Sequence, residues 1–168
     1  VNVYLVKYLV MLGYVLLLHG IAIIFTLGLW GLPLNSRVPW STIYLYHQPL
    51  WTNMLTTAVV NVLTTLFIVS LVFLLSCLIN STAVVTSVSL LMVFMGQFIS
   101  SSFLNVNRWS SVLRWNPFNM INLTRQYYNY ATYFDTSHLE NFQLLIGTFS
   151  YTWLFVSLGY LIFRKKRF

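Results

Sequence analysis

No Asp, Glu, Lys or Arg occurs between Arg37 and Arg108. A stretch of this length cannot form a soluble surface, because ordinary soluble domains carry roughly 25% charged residues. In the whole chain of 168 residues, 58% are hydrophobic and only 7% are charged. The sequence therefore predicts an integral membrane protein, in which hydrocarbon surrounds most side chains.

Four apolar segments are long enough to cross a bilayer, whose hydrocarbon core of about 30 Å needs roughly 20 helical residues. They lie at about Tyr8–Trp30, Met54–Ile79, Ala83–Phe103 and Phe142–Phe163. One long helix in place of the second and third segments would far exceed a single crossing. The predicted fold is therefore all-α, a polytopic membrane protein with one transmembrane domain over residues 1–168 and four transmembrane helices.

The connections between these segments differ in length and character. Only Asn80, Ser81 and Thr82 separate the second segment from the third, which predicts a tight antiparallel helical hairpin. The longer connections, 31–53 and 104–141, are rich in Trp and Tyr, residues that favour the headgroup layer. In the last external loop we expect short interfacial helices, with a break near Asn116 at Pro117.

Basic residues are concentrated at the C-terminus, in the sequence "RKKR" at 164–167. Four crossings place both ends and the turn at Asn80 on the same side. Lys and Arg beside a span favour the cytoplasm, so we expect both ends to be cytoplasmic, in the cell membrane, with the tail attracted to anionic lipid. The net charge of +7 is too scattered for a nucleic-acid surface, so no nucleic-acid partner is expected.

Three polar residues lie inside the predicted spans: His19, Asn61 and Gln97. A polar group at such depth is a candidate functional residue because its desolvation is costly. For His19 we favour the alternative, an imidazole hydrogen-bonded to a neighbouring helix through a Thr or through Asn61, because no second intramembrane His, Asp or Glu could relay a proton. Asn61 and Gln97 either hold helices together or, if they face one cavity, line a translocation path.

The sequence lacks recognisable catalytic patterns. Its histidines, His19, His47 and His138, fall in different elements, and Cys77 is the single cysteine. Asp135 and Glu140 are too weak a signal for paired-carboxylate chemistry, and no Gly-rich phosphate loop is present. We therefore predict no catalytic residue, no metal site and no cofactor in this chain.

Four segments, in order, resemble the later part of an ABC type-2 permease, the membrane subunit of an exporter powered by a separate ATPase. The stretch "VYLVKYLVMLGYVLLL" (Val3–Leu18) is similar to the family's third membrane helix, and "LLSCLINSTAVVTSVSLLMVF" (Leu74–Phe94) to its fourth and fifth with their short cytoplasmic turn. The stretch "VLRWNPFNMINLTR" (Val112–Arg125) is similar to the segment after the fifth helix, and "GYLIFRKKRF" (Gly159–Phe168) to the final helix and basic tail. Because the family usually has six spans, the resemblance implies an N-terminally truncated permease.

The resemblance also implies partners and sites. A separate ABC ATPase subunit would bind ATP and Mg²⁺, and a second permease copy would form a homo- or heterodimer. The resemblance implies that Asn80, Ser81 and Thr82 contact the ATPase. It implies an external gate at Trp109, Trp115, Asn116, Pro117, Phe118 and Arg125. The expected substrate is hydrophobic or peptide-like: a drug, a lantibiotic or bacteriocin, or a lipid-linked molecule.

A second hypothesis is a self-contained four-span membrane protein that acts in immunity or as an accessory factor. It would bind a peptide or a lipid through its aromatic outer loops, without an ATPase and without transport. A neighbouring gene that encodes a Walker A motif would favour the exporter over this alternative.

Overall fold

A computed structural model describes residues 2–28, 44–45, 48–104, 114–121, 123, 127 and 139–166 of the chain. Its helices are α1 (Asn2–Thr26), α2 (Leu50–Leu78), α3 (Thr82–Leu104), α4 (Pro117–Ile121) and α5 (Asn141–Lys165). Strands in this described part are limited to β1 (Tyr44–Leu45), which pairs antiparallel with β2 (Gln48–Pro49). The predicted all-α class is confirmed.

Three described helical segments are long and apolar enough to cross a membrane: Val3–Thr26, Thr52–Leu78 and Asn141–Lys165. Many of their large apolar side chains face outward, and Trp153 of α5 is 76% exposed. Hydrocarbon solvates such a surface, whereas water does not. The described helices therefore belong to a membrane protein, as the composition predicted.

The helix ends differ from the predicted spans by a few residues. Helix α1 begins at Asn2, six residues before the predicted Tyr8, because a helix can continue past the hydrocarbon with Lys7 at its polar end. Helix α2 begins at Leu50, directly after Pro49, where the missing N–H of proline is tolerated. Thr82, predicted to lie in the turn, is the first residue of α3.

Helix α2 lies at the centre of the bundle. It packs against α1, α3, α4 and α5, and its contact with α5 is the most extensive. Phe67 and Ser70 of α2 are almost completely buried, and the Ser70 hydroxyl donates to the Leu66 carbonyl in its own helix. A small residue with an internally satisfied hydroxyl allows neighbouring helices to approach closely in lipid.

Candidate functional site

One end of the bundle, which we call the tail end, brings together the start of α1, the turn between α2 and α3, and the end of α5. The Tyr4 hydroxyl of α1 donates to the Val156 carbonyl of α5 across 2.7 Å. Lys166, directly after α5, contacts the α2–α3 turn. Residues near the two ends of the described chain therefore lie at the same end of the bundle as the Asn80 turn.

Lys166 is held by two acceptors at this turn. Its Nζ donates to Asn80 Oδ1 across 2.9 Å and to the Leu78 carbonyl across 3.3 Å. Leu78 is the last residue of α2, where backbone carbonyls lack partners within the helix and the helix dipole is negative. A cation placed there stabilises the helix end and ties the tail to the turn. Ser81 and Thr82, the other predicted ATPase-contact residues, are exposed beside it.

Beneath the tail end lies an aromatic cluster around Tyr4, which is 1% exposed. The Tyr4 ring centroid is 4.9 Å from that of Phe73, 5.6 Å from that of Phe163 and 5.7 Å from that of Tyr160. Cys77 is buried in the same cluster, where it packs as a small apolar side chain. These rings join α1, α2 and α5 at one level.

The opposite end, which we call the loop end, contains the short helix α4. Asn116 precedes it, and the Asn116 side-chain oxygen accepts from the backbone N–H of Phe118 across 3.1 Å. Pro117 occupies the first helical position, where a missing N–H has no cost. The Asn119 side chain donates to the Arg114 carbonyl across 2.7 Å. The break predicted at Pro117 is thus a helix start.

Helix α4 packs between α3 and α5, where two glycines leave room for its side chains. The Phe118 ring lies directly against Gly96 of α3, and a methyl group at that position would overlap it. The Met120 side chain lies against Gly147 of α5. The Tyr151 hydroxyl of α5 donates to the Trp115 carbonyl across 2.6 Å. At the loop end, α4 therefore joins α3 and α5, two helices that are distant in the sequence.

Of the six predicted gate residues, four lie together here: Trp115, Asn116, Pro117 and Phe118. Trp109 and Arg125 lie outside the described residues. Sequence reasoning missed Gly96, Gly147 and Tyr151, which contact the residues around the predicted gate. Glycines inside apolar helices were the available signal, because such positions permit close helix packing.

His19 contacts α2, as in the interhelical hydrogen bond favoured above. Its Nδ1 lies 2.9 Å from the Val15 carbonyl, which can only accept, so Nδ1 carries the hydrogen. Nε2 of the neutral ring can then only accept, and it lies 3.3 Å from Thr65 Oγ1. The one hydrogen of that hydroxyl has two acceptors in reach, Nε2 and the backbone carbonyl of Asn61 at 2.9 Å. His19 therefore contacts Thr65 of α2, whereas the Gln97 side chain lies outside the described residues.

Within the described part of the chain, no three His, Cys, Asp or Glu side chains lie close enough together to hold a metal ion. The tail end offers a polar, basic surface. At the loop end, α4 packs between α3 and α5. In comparisons with family models, with curated proteins and with solved structures, nothing matched this chain.

Proposed function

We propose that this chain is the transmembrane permease subunit of an ATP-driven ABC exporter, with four spans and both ends in the cytoplasm. A separate ATPase subunit would supply ATP binding and hydrolysis, and a second permease copy would complete the transport unit. The substrate would be hydrophobic or peptide-like: a drug, a lantibiotic or bacteriocin, or a lipid-linked molecule. The proposal rests on the four resembling segments and on the polarity of the bundle.

The fourth span in this proposal is α3. Helix α3 has 23 residues, which at about 1.5 Å per residue extend roughly 34 Å, enough for the hydrocarbon core. It follows α2 after a three-residue turn at 79–81, and the two helices pack against each other. This close pairing with a membrane-length neighbour supports α3 as the fourth span.

The observation that carries the proposal is that the Asn80 turn and the contact with α4 lie at different levels along α2. The C-terminal end of α2 leads into the exposed turn at Asn80, the segment expected to meet an ATPase. Farther toward its start, Phe67 and Val60 pack in one cluster with Met120 of α4. A movement imposed on the turn would therefore reach the gate segment through one rigid helix.

The outward face of α5 supports the second permease copy. It presents Phe149, Trp153 and Leu158, with Ser150 and Ser157 beside them, around an open groove of about 680 Å³. Trp153 is the midpoint of α5 (Asn141–Lys165), whereas Trp in membrane helices favours the interfaces. Its indole N–H makes no hydrogen bond to the described residues, and a polar group at this depth favours a protein neighbour over lipid.

A crosslinking experiment tests both partners at once. A photoreactive amino acid would replace Ser81 or, separately, Trp153, in the full chain in membranes of the source organism. We expect the Ser81 probe to crosslink to a protein with a Walker A motif and the Trp153 probe to crosslink to another permease chain. A Ser81 probe that captures no such ATPase, in a chain that remains folded, would contradict the exporter.

One observation favours the four-span accessory or immunity protein instead. Only 6% of the membrane-length window in α1 is buried, and Tyr4 and Val15 are its buried side chains in the described helix. Because α1 is so exposed, its apolar side is available to bind a peptide or a lipid. Peptide binding by the purified chain without any ATPase, together with the absence of an ATPase gene nearby, would support this alternative.

A further inference from the structure

The tail end has an unbalanced positive charge. Four cations of the described part of the chain lie here: Lys7, Arg164, Lys165 and Lys166. Lys7 and Lys166 are both close enough to Cys77 to interact with it electrostatically, and Arg164 and Lys165 directly precede Lys166. The one described carboxylate, that of Glu140, precedes α5 and is a whole helix away from Lys166. At about 1.5 Å per residue, the 25 residues of α5 separate the two by roughly 37 Å. The complement of this surface is an anion.

The depth of these cations identifies the kind of anion. The apolar part of α5 ends at Phe163, which packs in the aromatic cluster around Tyr4, and Arg164 follows at once. Tyr160 and Phe163 mark the boundary of the hydrocarbon, so the cations that follow lie at the level of the lipid headgroups. The anions at that level are the phosphates of acidic lipids.

Lys166 differs from its neighbours because its side chain is already held in place. Two of its three N–H donors are directed at Asn80 Oδ1 and at the Leu78 carbonyl, which leaves one donor and the full charge. Arg164 and Lys165 are exposed and make no hydrogen bond to the described residues. A fixed ammonium binds an anion without the loss of side-chain entropy that a free lysine incurs.

We propose that Lys166 and Asn80 form a specific site for the phosphate of an anionic phospholipid, here phosphatidylglycerol. Lys166 donates to the phosphate with its remaining N–H, Asn80 positions the ammonium, and Arg164 and Lys165 add long-range attraction. The site is distinct from general attraction of a basic tail to the membrane, because it depends on an uncharged residue 86 positions away in the sequence. It does not depend on the proposed transport.

The test measures the relative association constant of spin-labelled phosphatidylglycerol over phosphatidylcholine for the full chain in bilayers. Lys166→Gln should lower this constant roughly fivefold, because it removes the positioned N–H donor together with its charge. Lys165→Gln removes the same charge from an unheld side chain and should lower it less than about twofold. Asn80→Ala changes no charge and should lower it about threefold, since Lys166 is no longer positioned.

Two outcomes would overturn the site. Equal losses in Lys166→Gln and Lys165→Gln, with no loss in Asn80→Ala, would leave only diffuse attraction to the membrane. Competition by inorganic phosphate at matched ionic strength as strong as that by the lipid would assign the site to free phosphate. Unfolding midpoints of all variants in pure phosphatidylcholine show whether each is folded, and Asn80→Asp serves as the second variant. It keeps Lys166 in place while its carboxylate compensates the ammonium charge, and it should lower the lipid preference about as much as Lys166→Gln.

Discussion

Tyr4 illustrates how one side chain near the N-terminus can organise a membrane protein. In the sequence it is one aromatic residue among many in an apolar helix. In the structure it is buried, its hydroxyl is bonded to Val156, and it lies over Gly159. A methyl group at Gly159 would come within 2.6 Å of that hydroxyl oxygen. Because Gly159 has no side chain, the Tyr4 hydroxyl has room to donate to Val156, which is far away in the sequence.

Replacing Tyr4 with Phe should lower the free energy of unfolding by about 1 kcal/mol, because the Val156 carbonyl loses this donor while the ring stays packed. Tyr14→Phe is the matched control, since Tyr14 is 63% exposed and makes no hydrogen bond to the described residues. Unfolding in detergent, followed by tryptophan fluorescence, measures both variants. Equal effects of the two substitutions would show that the bond to Val156 contributes nothing.

Thr65→Val should weaken the contact between α1 and α2, because valine keeps the shape but cannot bond His19. Interhelical hydrogen bonds in bilayers contribute about 0.6 kcal/mol on average and less than about 2 kcal/mol at most. Thr26→Val is the control, because among the described residues the Thr26 hydroxyl bonds the Ala22 carbonyl of its own helix and no other helix. The comparison uses unfolding midpoints in the same bilayer. Thr26→Val as destabilising as Thr65→Val would contradict an interhelical role.

At the scale of the elements, α4 is short but contacts three other helices. It has five residues, of which Asn119, Met120 and Ile121 are buried, and it contacts α2, α3 and α5. A helix this short has little stability of its own, because nucleation is costly and few hydrogen bonds follow. Its conformation therefore depends on the glycine positions that receive it and on the turn built by Asn116 and Pro117.

Gly96→Ala should detach or distort α4, because the new methyl group would overlap the Phe118 ring and force the ring or the helix to shift. Overpacking of this kind costs about 1–3 kcal/mol. Gly13→Ala is the matched control in α1, where nothing lies within 4 Å of the added carbon. There, alanine should be neutral or stabilising by up to about 1 kcal/mol, from its better helix propensity. Thermal unfolding of both variants checks the difference, and a Gly96→Ala protein as stable as wild type would refute this packing of α4.

At the scale of the whole molecule, the bundle is polar along its axis. The tail end collects described cations and the Asn80 turn, whereas the loop end contains α4 and Glu140. Helix α2 connects the ends and contacts every other described helix. The proposed exporter would use this polarity, with the ATPase at the Asn80 turn and the gate at α4.

Cysteine labelling with a membrane-impermeant maleimide tests this polarity in intact cells. In a Cys77→Ser background, Ser81→Cys and Lys7→Cys should react only after the membrane is permeabilised. Glu140→Cys should react from outside without permeabilisation. Reaction of Ser81→Cys and Lys7→Cys from opposite sides would contradict the four-span arrangement.

The sequence by itself determined that hydrocarbon surrounds most of this protein. It also determined the approximate position of the long helices. Both depend on local properties: the length of an apolar run, the absence of charge, and the short polar turn at Asn80. These properties act through residues that are neighbours in the chain, so a linear reading can find them. The sequence also predicted a break at Pro117, and the structure shows that α4 begins there.

Only the tertiary structure decided which helices meet and which polar groups become partners. Lys166 pairs with Asn80, Tyr4 with Val156 and Trp115 with Tyr151, and each pair is separated by a large part of the chain. In lipid, apolar periodicity does not tell an inward face from an outward one, because hydrocarbon surrounds both equally well. Close packing at glycines and the satisfaction of hydrogen bonds make that choice, and both exist only once the helices are assembled.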